Sequence, residues 1–534
     1  MCLELIKIDI HRQVNSLTIK ATLNPNIDKL PVRQRIAEYI GLFLASTLHL
    51  LVFSFWTSPF YKLWYGCDAS FFTLVGRGIT EGKVPYRDFF DLKGPYFFFI
   101  EALGQLLAKS RLGAFIIQVP FAFASLVLVY EISLLFISKK KSLFVCAVYL
   151  WGNITTLWGG NTLEEFILPL SLACLYIVLR KIVNENMSLN ELPLTYMTVL
   201  GAAVGICLFS KISCGAPVLG IIAAVIFSDL TDKNIKHLLV NLLYLAFGLA
   251  LSALPVIIYF GANSALNEMF FCVFKLGFSR STNYYESFNI TWELKLSGAV
   301  LAFMFAILAR ARINRNISII LMAMSAATWL LLHLGTPYFY YFTTVYPCLI
   351  LAIALFLKIY NPIILFEDAC QVVTICLFAI FLFYYVPTGL DSINTASADR
   401  SFYSAEQFQQ DAEDMGSLIP SYERDSVFSF MLDMQWFEAN QITPCCRYVV
   451  NVPFFIELYP QAQTDILDML DNNPPKWIVI GNDFVESLPE ISQVVLDRYT
   501  CIYENSSGHL FLFDENHEHK SVIDEEIQNF RLAE

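Results

Sequence analysis

Blocks of about twenty apolar residues recur along this 534-residue chain, and a block of that length is what crosses the hydrocarbon core of a bilayer. With 56% hydrophobic and 15% charged residues, the chain has too little polar surface for a soluble protein of its size. It reads as a polytopic α-helical membrane protein. The expected spans are 36–57, 113–138, 142–158, 163–181, 197–210, 213–228, 237–260, 294–309, 317–334, 341–358 and 370–387. Residues 1–34 hold no apolar core of signal-peptide length, so the first block reads as an uncleaved anchor.

Lys and Arg collect in cytoplasmic loops. Arg33 and Arg35 precede the first span, Lys139–Lys141 follow the second, and Arg180 and Lys181 close the fourth. Lys233 and Lys236, then Arg310, Arg312 and Arg315, then Lys358 continue the series. Eleven spans put all of these inside, with a cytoplasmic N-terminus and an extracytoplasmic C-terminus. That path requires residues 94–109, GPYFFFIEALGQLLAK, not to cross. They are short for a span and carry Glu101, and they read as an amphipathic helix in the interface. Residues 58–112 then form one large outer loop. The apolar block Tyr196–Phe227 is expected to break at Ser210-Lys211-Ile212-Ser213, because a lysine at mid-depth is costly unless it reaches water or a partner.

The pattern changes after Pro387. Short β-rich runs (Ser426–Met431, Arg447–Val452, Trp477–Gly481, Tyr499–Tyr503, His509–Phe513) alternate with helical stretches at 404–418, 461–472 and 484–496. Such alternation indicates a small α/β domain, and Asn505–Gly508 reads as the turn of its closing hairpin. The domain map is therefore a cytoplasmic segment 1–34, a transmembrane domain 35–390, an extracytoplasmic α/β domain 391–515 and a disordered tail 516–534. Beyond Pro387 acidic residues outnumber basic ones more than three to one, within a net charge of −12. This excludes nucleic acid as a partner of that region. The thirteen cysteines are scattered with no CxxC or Cys/His metal spacing, and a disulfide among Cys445, Cys446 and Cys501 is left open.

One stretch departs from the apolar background. CDASFFTLVGRGITEGKVPYRDFFDLKGP, residues 67–95, gathers Asp68, Arg77, Glu81, Lys83, Arg87, Asp88, Asp91 and Lys93. The eleven-span path sets Asp68 just beyond the first span and returns Asp88, Asp91 and Lys93 to the same outer interface. There, charges stay wet while facing a substrate whose tail lies in lipid. Lys211, between two short apolar segments, wants an anion.

These residues carry a resemblance. An Asp just beyond the first span followed by EGKVPYRDFFDLKGP is similar to the first outer loop of the GT-C glycosyltransferases, the protein-mannosyltransferase-like and aminoarabinose-transferase-like membrane enzymes. The loop Asn161, Thr162, Glu164, Glu165, the break at Lys211 and the aromatic run Tyr338–Tyr341 extend it over residues 35–390. The resemblance implies transfer of a sugar from a polyprenyl-phosphate carrier, with inversion, to a lipid, polysaccharide or protein acceptor at the outer face of the plasma (inner) membrane. It implies Asp68 as general base, and because cations must meet the charge on the leaving phosphate, Lys93, Lys211 and Arg280 are the candidates for the donor phosphate. Asp88, Asp91, Glu164, Glu165, Tyr340 and Tyr341 are candidates for sugar or acceptor contacts. No cofactor is required, and a divalent cation at the acidic residues is left open; Ala69 stands where many members carry a second acidic residue.

Simpler roles exist for the same residues. Glu164 and Glu165 suit the start of a helix, Lys93 can pair with Asp91, and Tyr338–Tyr341 suit an interfacial aromatic belt. A lipid-linked-sugar flippase or transporter, which would hold its ionisable residues near the bilayer midplane, and a non-catalytic scaffold displaying the acidic tail are the alternative functions.

Overall fold

The computed structural model describes residues 32–61, 67–157, 159–279, 290–333, 338–360, 403–430, 434–482 and 487–514, with a few isolated positions between them. The apolar part contains helices α1 (Val32–Phe53), α2 (Cys67–Thr80), α3 (Pro95–Leu107), α4 (Arg111–Leu134), α5 (Lys139–Leu157), α6 (Leu163–Asn184), α7 (Leu194–Leu208), α8 (Ala216–Thr231), α9 (Ile235–Ala262), α10 (Ile290–Leu308), α11 (Arg315–Leu332) and α12 (Tyr346–Ile359). Among the described residues seven helices are long and apolar enough to cross a membrane, which makes the chain an integral, multi-pass membrane protein. Ten of the eleven expected spans fall on helices. Three of these fall short on length or charge: α7 and the apolar part of α10 are brief, and α5 begins with three lysines. The eleventh, 370–387, lies outside the described residues apart from isolated positions.

The block Tyr196–Phe227 is broken where its lysine predicts. α7 ends at Leu208, Lys211 is extended, and a 3-10 turn, Ile212–Gly215, leads into α8. Residues 94–109 form the short helix α3, whose Leu103, Leu106 and Leu107 face outward while Phe97, Phe98 and Glu101 face inward. The inner face packs on α2, with the Phe72 and Phe97 rings edge to face at 4.7 Å.

The C-terminal part has helices α13 (Tyr403–Ser417), α14 (Gln435–Asn440), α15 (Val452–Leu458), α16 (Gln461–Asn472) and α17 (Pro489–Arg498) around strands β1 (Val427–Phe430), β2 (Trp477–Ile480), β3 (Tyr499–Asn505) and β4 (Gly508–Phe513). The sheet order is β1-β2-β4-β3, with β1 parallel to β2 and the other pairs antiparallel. Ser506 and Ser507 turn the closing hairpin.

Arg447–Val452, expected as a strand, forms none. Its backbone serves the first loop instead, since the Phe90 amide donates to the Arg447 carbonyl at 2.8 Å. Phe90 is buried against Tyr448, Phe455 and Tyr459, at centroid distances of 4.9, 5.0 and 5.8 Å. A second tie is ionic. Arg77 of α2 meets Glu438 of α14 at 2.8 Å with both side chains buried, and also donates to the Ile442 carbonyl at 2.7 Å. The charged loop that includes α2 and the C-terminal part thus share one core.

Replacing Glu438→Leu strands the Arg77 charge and is expected to cost about 3–5 kcal/mol. Thermal unfolding in detergent reads this as a lowered midpoint, and adding Arg77→Met recovers most of the loss. A single variant that melts like the parent contradicts the tie.

Candidate functional site

Two broken helix ends build the site. The last carbonyls of a helix and its first amides have no partners within the helix. At the end of α7 the Phe209 and Ser210 carbonyls lie past the last turn; at the start of α3 the amides of Gly94, its N-cap, and Tyr96, in its first turn, come too early to find a carbonyl within the helix. The two sets satisfy each other: Gly94 donates to the Ser210 carbonyl at 2.8 Å, and Tyr96 to the Phe209 carbonyl at 3.2 Å. Pro95 between them has no amide to lose. A side chain at Gly94 would overlap the Phe209 backbone, so only glycine allows this approach. It seats Lys93 beside Ser210 and Lys211.

The turn ahead of Lys93 is held from within. The Tyr86 hydroxyl donates to the Lys93 carbonyl at 2.7 Å, and the Leu92 amide to Asp91 Oδ1 at 2.8 Å. Lys93 Nζ stands 3.7 Å from Asp91 Oδ2 and 4.8 Å from the Phe72 ring centroid. Lys211 Nζ is 2.6 Å from Glu164 Oε1 and 3.0 Å from the Tyr341 centroid. Burial alone would lower the Lys211 ammonium, but the adjoining Glu164 carboxylate more than offsets it and holds its pKa above the ordinary lysine value. Asp68 lies in the first turn of α2, where the positive end of the helix dipole favours a carboxylate.

A cavity of about 320 Å³ joins these groups. Asp68, Lys93, Glu164, Lys211, Tyr340 and Tyr341 all line it, and its apolar wall includes Phe72, Leu208, Val273, Phe274, Leu331 and Leu332. The Tyr340 hydroxyl lies within electrostatic reach of both Asp68 and Glu164. Six residues that the sequence offered as site candidates therefore meet at one place.

Asp88, Asp91 and Glu165 do not line it. Asp88 pairs with Arg87 at 2.8 Å and accepts from the Val84 amide at 2.6 Å. Burial alone would raise its carboxyl, yet these bonds hold it below the usual carboxylate range. Asp91 caps its own turn and pairs with Lys93. Glu165 forms a capping box with Thr162 at the start of α6 and accepts from Gln118. Arg280 lies outside the described residues. Among those described, no group of three His, Cys, Asp or Glu side chains stands ready to hold a metal ion, and the cysteines, Cys445, Cys446 and Cys501 included, are free.

Three lining residues were not singled out by sequence reasoning as site residues. Trp56, Asn161 and Ser210 border the cavity, and the Trp56 indole Nε1 and the Ser210 hydroxyl are buried with no hydrogen-bond partner among the described residues. The available signal was the pair Gly159-Gly160 ahead of Asn161, since consecutive glycines mark a backbone that side chains would obstruct.

The chain superimposes on ArnT from Cupriavidus metallidurans bound to undecaprenyl phosphate with a TM-score of 0.60 at 12% identity, over 91% of this chain and 99% of that one. The same protein in its apo state gives 0.54 at 11% identity, over 89% and 98%. The chain has a GT-C fold. No protein-family model matches the sequence, and no curated protein matches it. At this identity the GT-C likeness is one of architecture, and the function rests on the chemistry of the cavity.

Gly94→Ala is expected to break the seat of Lys93 beside Lys211, because the obstructing atoms are backbone and cannot swing aside. The cost is about 3 kcal/mol or more, read as a lower melting midpoint in detergent. A variant as stable as the parent rules out the close approach.

Proposed function

We propose that this chain is an integral-membrane glycosyltransferase that moves a sugar from a polyprenyl-phosphate donor to an acceptor at the extracytoplasmic face. The observation that carries the reading is two carboxylates, Asp68 and Glu164, and two lysines on the walls of a single, largely apolar cavity. A lipid-phosphate sugar has a hydrocarbon tail, an anionic link and a ring, and the cavity offers apolar wall, cations and polar groups together. The GT-C neighbour ArnT holds undecaprenyl phosphate, which supports a donor of that chemical kind. The acceptor is a lipid, a polysaccharide or a protein.

In this reading the Asp68 carboxylate takes the proton from the acceptor hydroxyl. The freed oxygen forms its bond to the anomeric carbon on the face opposite the phosphate. The carbon–oxygen bond to phosphate breaks, and its electron pair leaves with the phosphate, inverting the anomeric centre. Lys93 and Lys211 meet the charge that develops there. Lys211 exchanges Glu164 for the donor phosphate. The apolar wall around Phe274 and Leu331 holds the isoprenoid, and positioning supplies the remaining acceleration. The eleven-span path, with the N-terminus cytoplasmic and the α/β region 391–515 outside the plasma (inner) membrane, places all of these groups at the outer interface.

Asp68→Asn keeps the shape of the side chain and removes the base. Assayed as purified protein against a panel of undecaprenyl-phosphate sugars, it is expected to lose about a hundredfold or more in turnover. Expression and melting should match the parent. Undiminished transfer by the variant would overturn the mechanism.

A further inference from the structure

Lys93 lies between two anchors. On one side Gly94 is bonded to the Ser210 carbonyl. On the other, three residues back, Phe90 leaves the loop and enters the C-terminal part. Phe90 is 1% exposed, its amide is held by the Arg447 carbonyl, and its ring lies among Tyr448, Phe455 and Tyr459. The Phe90 and Tyr459 rings are nearly parallel, 13° apart at 5.8 Å.

Tyr459 has a second aromatic neighbour. Phe271 meets it at 5.1 Å with ring planes 65° apart. Phe271 opens a turn of π-helix, Phe271–Leu276, a wide turn of a kind frequent at functional sites. Three residues after Phe271, Phe274 is part of the apolar wall of the cavity; Lys93, three residues after Phe90, supplies one of its cations. One ring thus bears on two segments that bring different chemistry to the same cavity, which Tyr459 itself does not line.

The seat of that ring is fixed. The Tyr459 amide closes α15 by donating to the Phe455 carbonyl at 2.8 Å, and its carbonyl accepts from the Ala462 amide of α16 at 2.9 Å. Pro460 follows and keeps the Tyr459 backbone out of the helical region, at φ −142° and ψ 83°. Phe455 and Tyr459, four residues apart, stand side by side and both meet Phe90. With its backbone tied on both sides, the Tyr459 ring is a fixed stop against which the loop and the π-turn settle.

We infer that Tyr459 is a positioning residue for the donor site: through Phe90 and Phe271 it sets Lys93 in register with the wall that holds the isoprenoid. The inference rests on the proposed glycosyl-donor reading. In such a donor the phosphate and the first isoprene are covalently joined. A cation displaced along the wall cannot meet the phosphate while the tail stays seated. The C-terminal part thereby shapes donor binding without touching the donor.

The test is a double-mutant cycle on affinity for bare undecaprenyl phosphate, measured with the purified full chain in detergent. Lys93→Met keeps the aliphatic stem and removes the charge; with Lys211 still in place it is expected to weaken binding about tenfold. Tyr459→Ala is expected to cost about the same, whereas Tyr459→Phe, which keeps the ring, binds like the parent. Added to Lys93→Met, Tyr459→Ala costs no more than about twofold further, because the lysine it served is gone. Tyr459→Leu, which keeps apolar bulk without a flat face, takes the place of an alanine variant that does not fold. A full tenfold loss on top of Lys93→Met would show a general packing role and overturn the inference. Parent-like affinity in Tyr459→Ala or in Lys93→Met would overturn it too, and in each case the donor reading still stands on Lys211. A parent chain that binds no carrier overturns the donor reading and the inference with it.

Discussion

Two hydrogen bonds between helix ends, Gly94 to Ser210 and Tyr96 to Phe209, hold the rest of the site in place. Irregular backbone near a membrane is tolerated only where it is buried in protein or lines a cavity. Here the break after α7 frees carbonyls, the start of α3 frees amides, and each supplies what the other lacks. The exchange brings the charged loop onto the break and puts Lys93 and Lys211 on one cavity wall. Without it the two lysines would belong to segments with no common wall.

The charges of residues 67–95 divide by task. Arg77 faces Glu438, Glu81 accepts from the Thr443 hydroxyl at 2.7 Å, and Arg87 closes on Asp88; these fix the loop's own shape and its contact with the C-terminal part. Asp68 and Lys93 face the cavity instead. Lys211 carries a counter-ion of its own, because an unpaired ammonium at a half-buried position is costly and Glu164 offsets that cost. In the proposed reading this pair is a placeholder, released when a donor phosphate arrives.

Much of this was legible in the sequence, for physical reasons that vary by residue. Length and apolarity mark the helices, and the cost of a lysine at depth marks the break at Ser210–Ser213. Charge gathered between apolar anchors marks the loop that carries Asp68 and Lys93. What composition cannot show is which neighbour satisfies a polar group. Arg447–Val452 has the residues of a strand, yet its carbonyl goes to Phe90 and its arginine to Asp465 at 2.7 Å, so no ladder forms. Glu164 and Glu165 are adjacent and chemically alike, but one helical step of about 100° points the first at Lys211 and leaves the second to cap its helix.

The most direct test of the account is a structure of the full chain with undecaprenyl phosphate. The account predicts the phosphate between Lys93 and Lys211, the Lys211–Glu164 contact opened from its 2.6 Å, and the isoprenoid along Phe274 and Leu331. A phosphate bound away from both lysines, with that ion pair intact, would contradict it.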